Sequence, residues 1–224
     1  NANGRSRRLQ RQMQRAEQQA TEARLKLLQT QLEPHMLFNT LANLRVLIGS
    51  DPARAQHMLD HLIAYLRATL GASRTTTHAL QAEFERLADY LELMAVRMGP
   101  RLRYTLDLPH DLARHPVPTL LLQPLVENSI RHGLEPKVDG GSIHVSARRE
   151  GEWLVLEVTD TGVGMGAQAG ADSLPATSSG FGMPQVRERL ETVYGTSATI
   201  DFVAVDADGT RVTIRFPYES TPKI

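Results

Sequence analysis

Along the first fifty residues the apolar positions alternate at spacings of four and three. Leu9, Met13, Ala16, Ala20, Ala23, Leu27, Thr30, Pro34, Leu37, Leu41, Leu44 and Ile48 form a heptad seam. Such a seam predicts a long helix packed against a partner in left-handed coiled-coil geometry. Its Ala-rich first half makes it thin and the coil weak. Pro34 falls in the seam and His35 immediately beside it, so the imidazole is expected on the flank of a bundle. A proline inside a helix removes a backbone hydrogen bond and costs about 3 kcal/mol. Its presence predicts a bend, a candidate hinge beside a residue that is nucleophilic and titrates near neutral pH.

Gly49-Ser50-Asp51-Pro52 supplies a helix stop, an N-cap and a first-turn proline. Met58, Leu59, Leu62, Ile63, Leu66 and Leu70 then recur at helical spacing, so a second helix can fold back on the first. Two such hairpins make a four-helix bundle, and burial of the seams predicts a homodimer. A polar stretch at 71–77 leads to a third helix at 80–98, with Phe84, Leu87, Leu91 and Met94 on one face and Gly99-Pro100 ending it. Beyond it the period changes to that of strands at 103–108, 142–147, 153–159, 198–203 and 210–216. Helices are predicted at 119–134 and 184–193. Segregated helices and strands indicate an α+β domain. The expected division is a coiled-coil or juxtamembrane helix at 1–27, a helical hairpin at 28–76 and the α+β domain at 77–219.

Composition adds constraints. In 224 residues, 25 basic and 25 acidic side chains cancel, which gives no global field to draw a nucleic acid directly. The exception is local, with Arg5, Arg7, Arg8, Arg11 and Arg15 crowding the start. There is no cysteine, which excludes disulfides, thiolate metal sites and cysteine nucleophiles. No apolar run approaches the roughly 18 residues of a membrane span. The chain begins with Asn rather than Met, so an excised cytoplasmic portion is one expectation. Its basic cluster then flanks a membrane helix under the positive-inside rule. A solvated charged helix face fits the same cluster equally well.

Three polar constellations follow. Glu127, Asn128 and Arg131 share one side of the predicted helix at 119–134. A carboxylate, an amide oxygen and a guanidinium suit hydrated Mg²⁺ and the phosphates it bridges. Taken alone, a polar helix face with internal ion pairing explains them better. Asp160-Thr161-Gly162-Val163-Gly164 ends a strand. Its carboxylate can accept a hydrogen bond from an adenine amino group, and its glycines let a ring or phosphate approach, although ordinary turns use the same residues. Gly180-Phe181-Gly182-Met183 precedes a helix N-terminus, a natural anion site. Between the last two, 166–179 is rich in Gly, Ala and Ser and reads as a lid or as a plain surface loop.

Together these residues resemble the LytS-type sensor histidine kinases over nearly the whole chain. Glu33-Pro34-His35-Met36-Leu37-Phe38-Asn39 is similar to the family's phosphoacceptor box. The stretch from Leu122 to Gly133 is similar to its N box, Asp160 to Gly164 to its first glycine box, and Gly180 to Met183 to its second. Val186 to Leu190 matches the helix that usually follows. The resemblance implies a dimeric helical hairpin carrying the histidine and a Bergerat-type ATP-binding sandwich shared with gyrase and Hsp90.

Carried over, it implies His35 as phosphoacceptor, Asn128 as magnesium ligand and Arg131 as a phosphate contact. Asp160 holds adenine, with Gly162, Gly164, Gly180, Phe181, Gly182 and Met183 shaping pocket and lid. His132 belongs to the N box and caps or packs there. Glu127 and Glu33 are rival general bases, with Glu127 also a secondary metal ligand, and Asn39 fixes the imidazole tautomer. A response regulator, often DNA-binding, receives the phosphoryl group. The family pattern is departed from at Glu33, Met36 and Gln185.

The implied activity is autophosphorylation of His35 from Mg-ATP and transfer to an aspartate. Hydrolysis as in gyrase and Hsp90 is disfavoured, because the position of their water-activating glutamate is Pro124. The alternative from another class is a degenerate kinase that binds nucleotide as a dimeric scaffold. The remaining histidines, His57, His61, His78, His110, His115 and His144, lack paired ligands at zinc-like spacing and are assigned ordinary surface roles.

Overall fold

The computed structural model describes residues 34–72, 76–164, 183–205 and 209–218. It divides into two compact units, one ending at Val46 and the other running from Leu47 to Ile224. The heptad seam before Pro34 lies outside the described residues, as do Glu33 and the 166–179 segment.

Helix α1 (Pro34–Ser50) and helix α2 (Pro52–Ala72) are separated by Asp51 alone. The carboxylate of Asp51 accepts the backbone N–H of Arg54 at 3.1 Å, which caps the first turn of α2. The expected cap and first-turn proline are therefore in place. On α1, Phe38, Leu41, Val46 and Ile48 remain 50–72% exposed.

A short strand β1 (Thr77–Ala79) leads into α3 (Leu80–Met98). This helix has the bounds its apolar face predicts, and Gly99 ends it with φ 60. Strand β2 (Leu102–Asp107) follows, and β3 (Pro116–Pro118) pairs antiparallel with β1. Two prolines in three residues ordinarily argue against a strand. At this two-stranded edge they are tolerated.

The main sheet also contains β4 (Gly141–Glu150), β5 (Trp153–Asp160), β6 (Thr199–Ala204) and β7 (Thr210–Pro217). Its order is β2-β4-β5-β7-β6, with β2 parallel to β4 and every other pair antiparallel. Alternate residues Leu154, Leu156, Val158 and Asp160 of β5 are all buried. They pair across the sheet with buried Ala147, Val145 and Ile143 on β4 and with Phe216, Ile214 and Val212 on β7. Two-residue periodicity thus places one apolar row against the helices, and the last residue of that row is a carboxylate.

Helix α4 (Gln123–Asn128) continues as a π-helical turn at Ser129–Leu134, and α5 (Met183–Tyr194) buries Val186, Leu190 and Tyr194. The sequence pattern predicts α4 from residue 119, but it begins at Gln123. The physical reason lies at Leu120, whose φ of 57 is incompatible with a right-handed helix.

Candidate functional site: the end of strand β5 and helix α4

Leu120 is held in its left-handed conformation by charges. Its N–H donates to Glu83 Oε2 at 3.2 Å, and the N–H groups of Leu122 and Gln123 donate to Oε1 at 2.8 and 3.4 Å. Arg189 of α5 donates to the Leu120 carbonyl. Glu83 therefore serves as the N-terminal cap of α4 from 39 positions away. Glu83 is 1% exposed, with Arg86 Nη1 at 3.0 Å and His78 Nε2 at 2.7 Å. Arg86 Nη2 also faces His78 Nδ1 at 3.4 Å, so the imidazole lies against both members of the Glu83–Arg86 pair. Burial pushes the Glu83 pKa up, but the hydrogen bond from His78 and the Arg86 charge outweigh it and hold the carboxyl below its usual value. Desolvation conversely lowers the Arg189 pKa. His78 is thus a buried-cluster member, which corrects the surface role expected of it.

The helix so anchored presents Glu127 and Asn128, both half-buried, with Arg131 exposed on the π turn and His132 half-buried. Oε1 of Glu127 accepts from Gln123 Nε2 at 2.6 Å and from Tyr65 Oη at 3.2 Å. Gln123 Nε2 also donates to Tyr65 Oη at 2.8 Å. Tyr65, fully buried on α2, thereby ties that helix to the polar face of α4. The Glu135 N–H reaches back five residues to the Ile130 carbonyl, the wide turn that π-helical segments adopt, frequently at functional sites.

Asp160 faces the end of this turn. It is 3% exposed, and its Oδ1 accepts the Gly162 N–H at 2.9 Å. Burial raises its pKa, opposed by hydrogen bonds from Gly162, Ser129 and Thr210 and by the Lys137 charge. The Val163 N–H donates to the Gly133 carbonyl at 3.0 Å, which stitches the two segments together. A Cβ on Gly162 would lie 2.4 Å from the Gly133 backbone, so only glycine fits. Lys137 Nζ on the Thr161 carbonyl at 2.7 Å closes the far side. A buried carboxylate beside side-chain-free backbone suits a flat ring with an exocyclic amine, and the neighbouring amide, carboxylate and guanidinium suit a metal-phosphate group.

Residues 23–102 match the family described as histidine kinase. Residues 116–220 match that described as histidine kinase-, DNA gyrase B-, and HSP90-like ATPase. The chain is 32% identical over 207 residues to the sensor histidine kinase BtsS of Escherichia coli (strain K12), covering 92% of this chain and 36% of that one.

The chain belongs to the histidine kinase family.

Among its kinase relatives is the sensor protein LytS of Staphylococcus saprophyticus, 29% identical over 205 residues, or 89% of this chain and 34% of that one. This agrees with the LytS-type resemblance, and the chain spans about a third of the length of these curated relatives. The histidine kinase domain from the Erythrobacter litoralis EL346 blue-light activated histidine kinase shares the fold. Its TM-score is 0.50 at 18% identity, covering 88% of this chain and 94% of that one.

Within the kinase frame, His35 lies in the first turn of α1, with its side chain outside the described residues, and Asn39 is half-buried one turn on. Gly164 has φ 71. Gly180, Phe181 and Gly182 lie outside the described residues, and Met183 opens α5. No sequence motif marks Glu83, Arg86 or Tyr65, and Arg189 is marked only as part of the 186–190 stretch. The available signal was Glu83 itself, a charge three residues after Leu80 and four before Leu87 on the apolar stripe of α3.

Proposed function

We propose that the chain autophosphorylates His35 from Mg-ATP and passes the phosphoryl group to an aspartate of a response regulator. The observation that supports this most directly is the buried Asp160 carboxylate, set beside the glycine contact that joins β5 to α4, in a chain that also carries His35 on α1. In this reading Asp160 accepts a hydrogen bond from the adenine amino group, and Gly162 and Gly164 admit the ring. Gly180, Phe181, Gly182 and Met183 border the phosphates, with His132 packing at the N box. Asn128, with Glu127 as a second ligand, would hold magnesium, which supplies charge neutralisation along the phosphates.

The neutral imidazole of His35 offers a nitrogen lone pair to the γ-phosphorus. The N–P bond forms as the bond to the ADP oxygen breaks, and the second ring nitrogen gives up its proton to a base. Asn39 orients that ring. Glu127, fixed by Tyr65 and Gln123, is the first candidate for the base, with Glu33 its rival. Arg131 offsets charge on the transferred group. The gyrase-type alternative of water activation lacks a carboxylate at Pro124, in the first turn of α4.

The proposed division is a coiled coil at 1–27, a dimerising hairpin at 28–76 and an ATP-binding domain at 77–219. Exposed Phe38, Leu41 and Ile48 on α1, with Leu59 and Ile63 on α2, support a homodimer that buries them. No described helix is long and apolar enough to cross a membrane. Arg5 to Arg15 support placement at the cytoplasmic face beneath an upstream membrane sensor.

Incubation with γ-labelled ATP and magnesium tests the reading. Acid-labile, alkali-stable label on wild type and none on His35→Ala is the expected result. Label persisting in His35→Ala would falsify His35 as acceptor, and nucleotide binding without label would favour the scaffold. Glu127→Gln and Glu33→Gln compared in the same assay assign the base.

A further inference from the structure

We propose that His57, His61 and Glu92 form a binding site for a zinc-class divalent ion that bridges α2 to α3. One ligand atom from each of the three lies within 4.8 Å of the others. His57 and His61, one turn apart on α2, bring their Nε2 atoms to 3.3 Å. Tetrahedral ligands at the usual Zn–N distance are separated by about 3.4 Å, so the two imidazoles stand at metal-ligand spacing before any ion enters. Glu92 reaches the pair from α3.

The outer contacts are those a metal site needs. His61 Nδ1 lies 3.0 Å from Asp89 Oδ1, also on α3. A proton on Nδ1 donating to that carboxylate leaves the Nε2 lone pair directed at His57, the carboxylate–histidine–metal arrangement that fixes ring orientation and raises ligand basicity. Tyr104 donates to Glu92 Oε1 and steadies the third ligand. His57 is exposed, so the fourth position opens to water.

Two imidazoles with one carboxylate select Zn²⁺, Co²⁺, Ni²⁺ or Cu²⁺ over Mg²⁺ or Ca²⁺, which favour oxygen. The site is therefore chemically separate from the magnesium proposed at Asn128. Without metal, one proton shared between the two Nε2 atoms satisfies the pair. With metal, α2 and α3 are clamped at a fixed angle.

Equilibrium dialysis of the 224-residue chain, stripped with chelator, against Zn²⁺ tests this. Thermal melts of each variant serve as the folding control. Wild type is expected to take up an ion and gain thermal stability, and millimolar Mg²⁺ is expected not to displace it. His57→Ala, His61→Ala and Glu92→Gln should each weaken binding at least tenfold and abolish the melting shift. Asp89→Asn, which touches no ion, should weaken it about 10–100-fold. Co²⁺ should give tetrahedral visible absorption in wild type and lose it in the three ligand variants. Absence of uptake, uptake unchanged in any of the three ligand variants, or a melting shift that survives in them overturns the proposal.

Discussion

Glu83 Oε1 accepts the backbone N–H of Leu122 at 2.8 Å, so a carboxylate on α3 ends the apolar run before α4 and sets where that helix begins. The same carboxylate holds the left-handed Leu120. A buried acid thereby offsets backbone strain of about 1–3 kcal/mol. Arg189 on the Leu120 carbonyl brings α5 to the same point. The position of Glu127, Asn128 and Arg131 depends on this anchor.

Glu83→Gln is expected to destabilise the fold by about 3–5 kcal/mol, because Arg86 stays buried without its counter-charge. A lower midpoint of chemical denaturation checks this. The sign with pH follows from the lowered carboxyl pKa. The stabilisation is full above the unfolded value of about 4.3 and is lost as pH falls through the depressed folded value. Glu83→Gln should therefore flatten the acid limb of stability against pH. An unchanged acid limb would remove Glu83 as its source.

Asp160→Asn separates folding from binding. Burial raises the Asp160 pKa, so its contribution to stability is complete below the unfolded value of about 3.9 and is lost as pH rises through the folded one. The neutral amide should hold or raise the melting temperature at pH 7. It should also weaken nucleotide binding at least tenfold, a loss of about 1.4 kcal/mol, measured by titration of a fluorescent nucleotide. In wild type, acidification should weaken nucleotide binding from above the ordinary aspartate pKa. Intact affinity in Asp160→Asn would remove Asp160 from the adenine contact.

Gly162→Ala places a methyl group 2.4 Å from the Gly133 backbone. No side-chain rotation relieves that overlap, so a loss of at least about 1–3 kcal/mol is expected, together with reduced nucleotide affinity. Gly151→Ala is a useful contrast. That glycine has φ 62 but open space around it, so it pays backbone strain without a clash and leaves nucleotide binding unaltered.

Tyr65→Phe removes the hydroxyl that donates to Glu127 and accepts from Gln123. About 1–2 kcal/mol of stability should be lost. Labelling of His35 should slow while nucleotide affinity is kept, because the change loosens Glu127 and leaves Asp160 in place. Equal losses in affinity and labelling rate would make Tyr65 a structural support only.

The helices α3 and α5, the strands of the main sheet and the Asp51 cap were legible because each follows from local periodicity or turn chemistry. The resemblance to histidine kinases was legible too, since its boxes are contiguous in the chain. Tertiary structure decided what depends on distant residues meeting. It shortened the predicted 119–134 helix because Glu83, held by Arg86 and His78, and Arg189 meet at Leu120, a convergence with no sequence spacing of its own. It made β1 and β3 a pair despite Pro116 and Pro118. His57 and His61 read as surface side chains until α3 brought Glu92 and Asp89 beside them. Helical and strand patterns are written in neighbours three, four or two apart. Buried charge clusters and bridging ligand sets are written only in the packing.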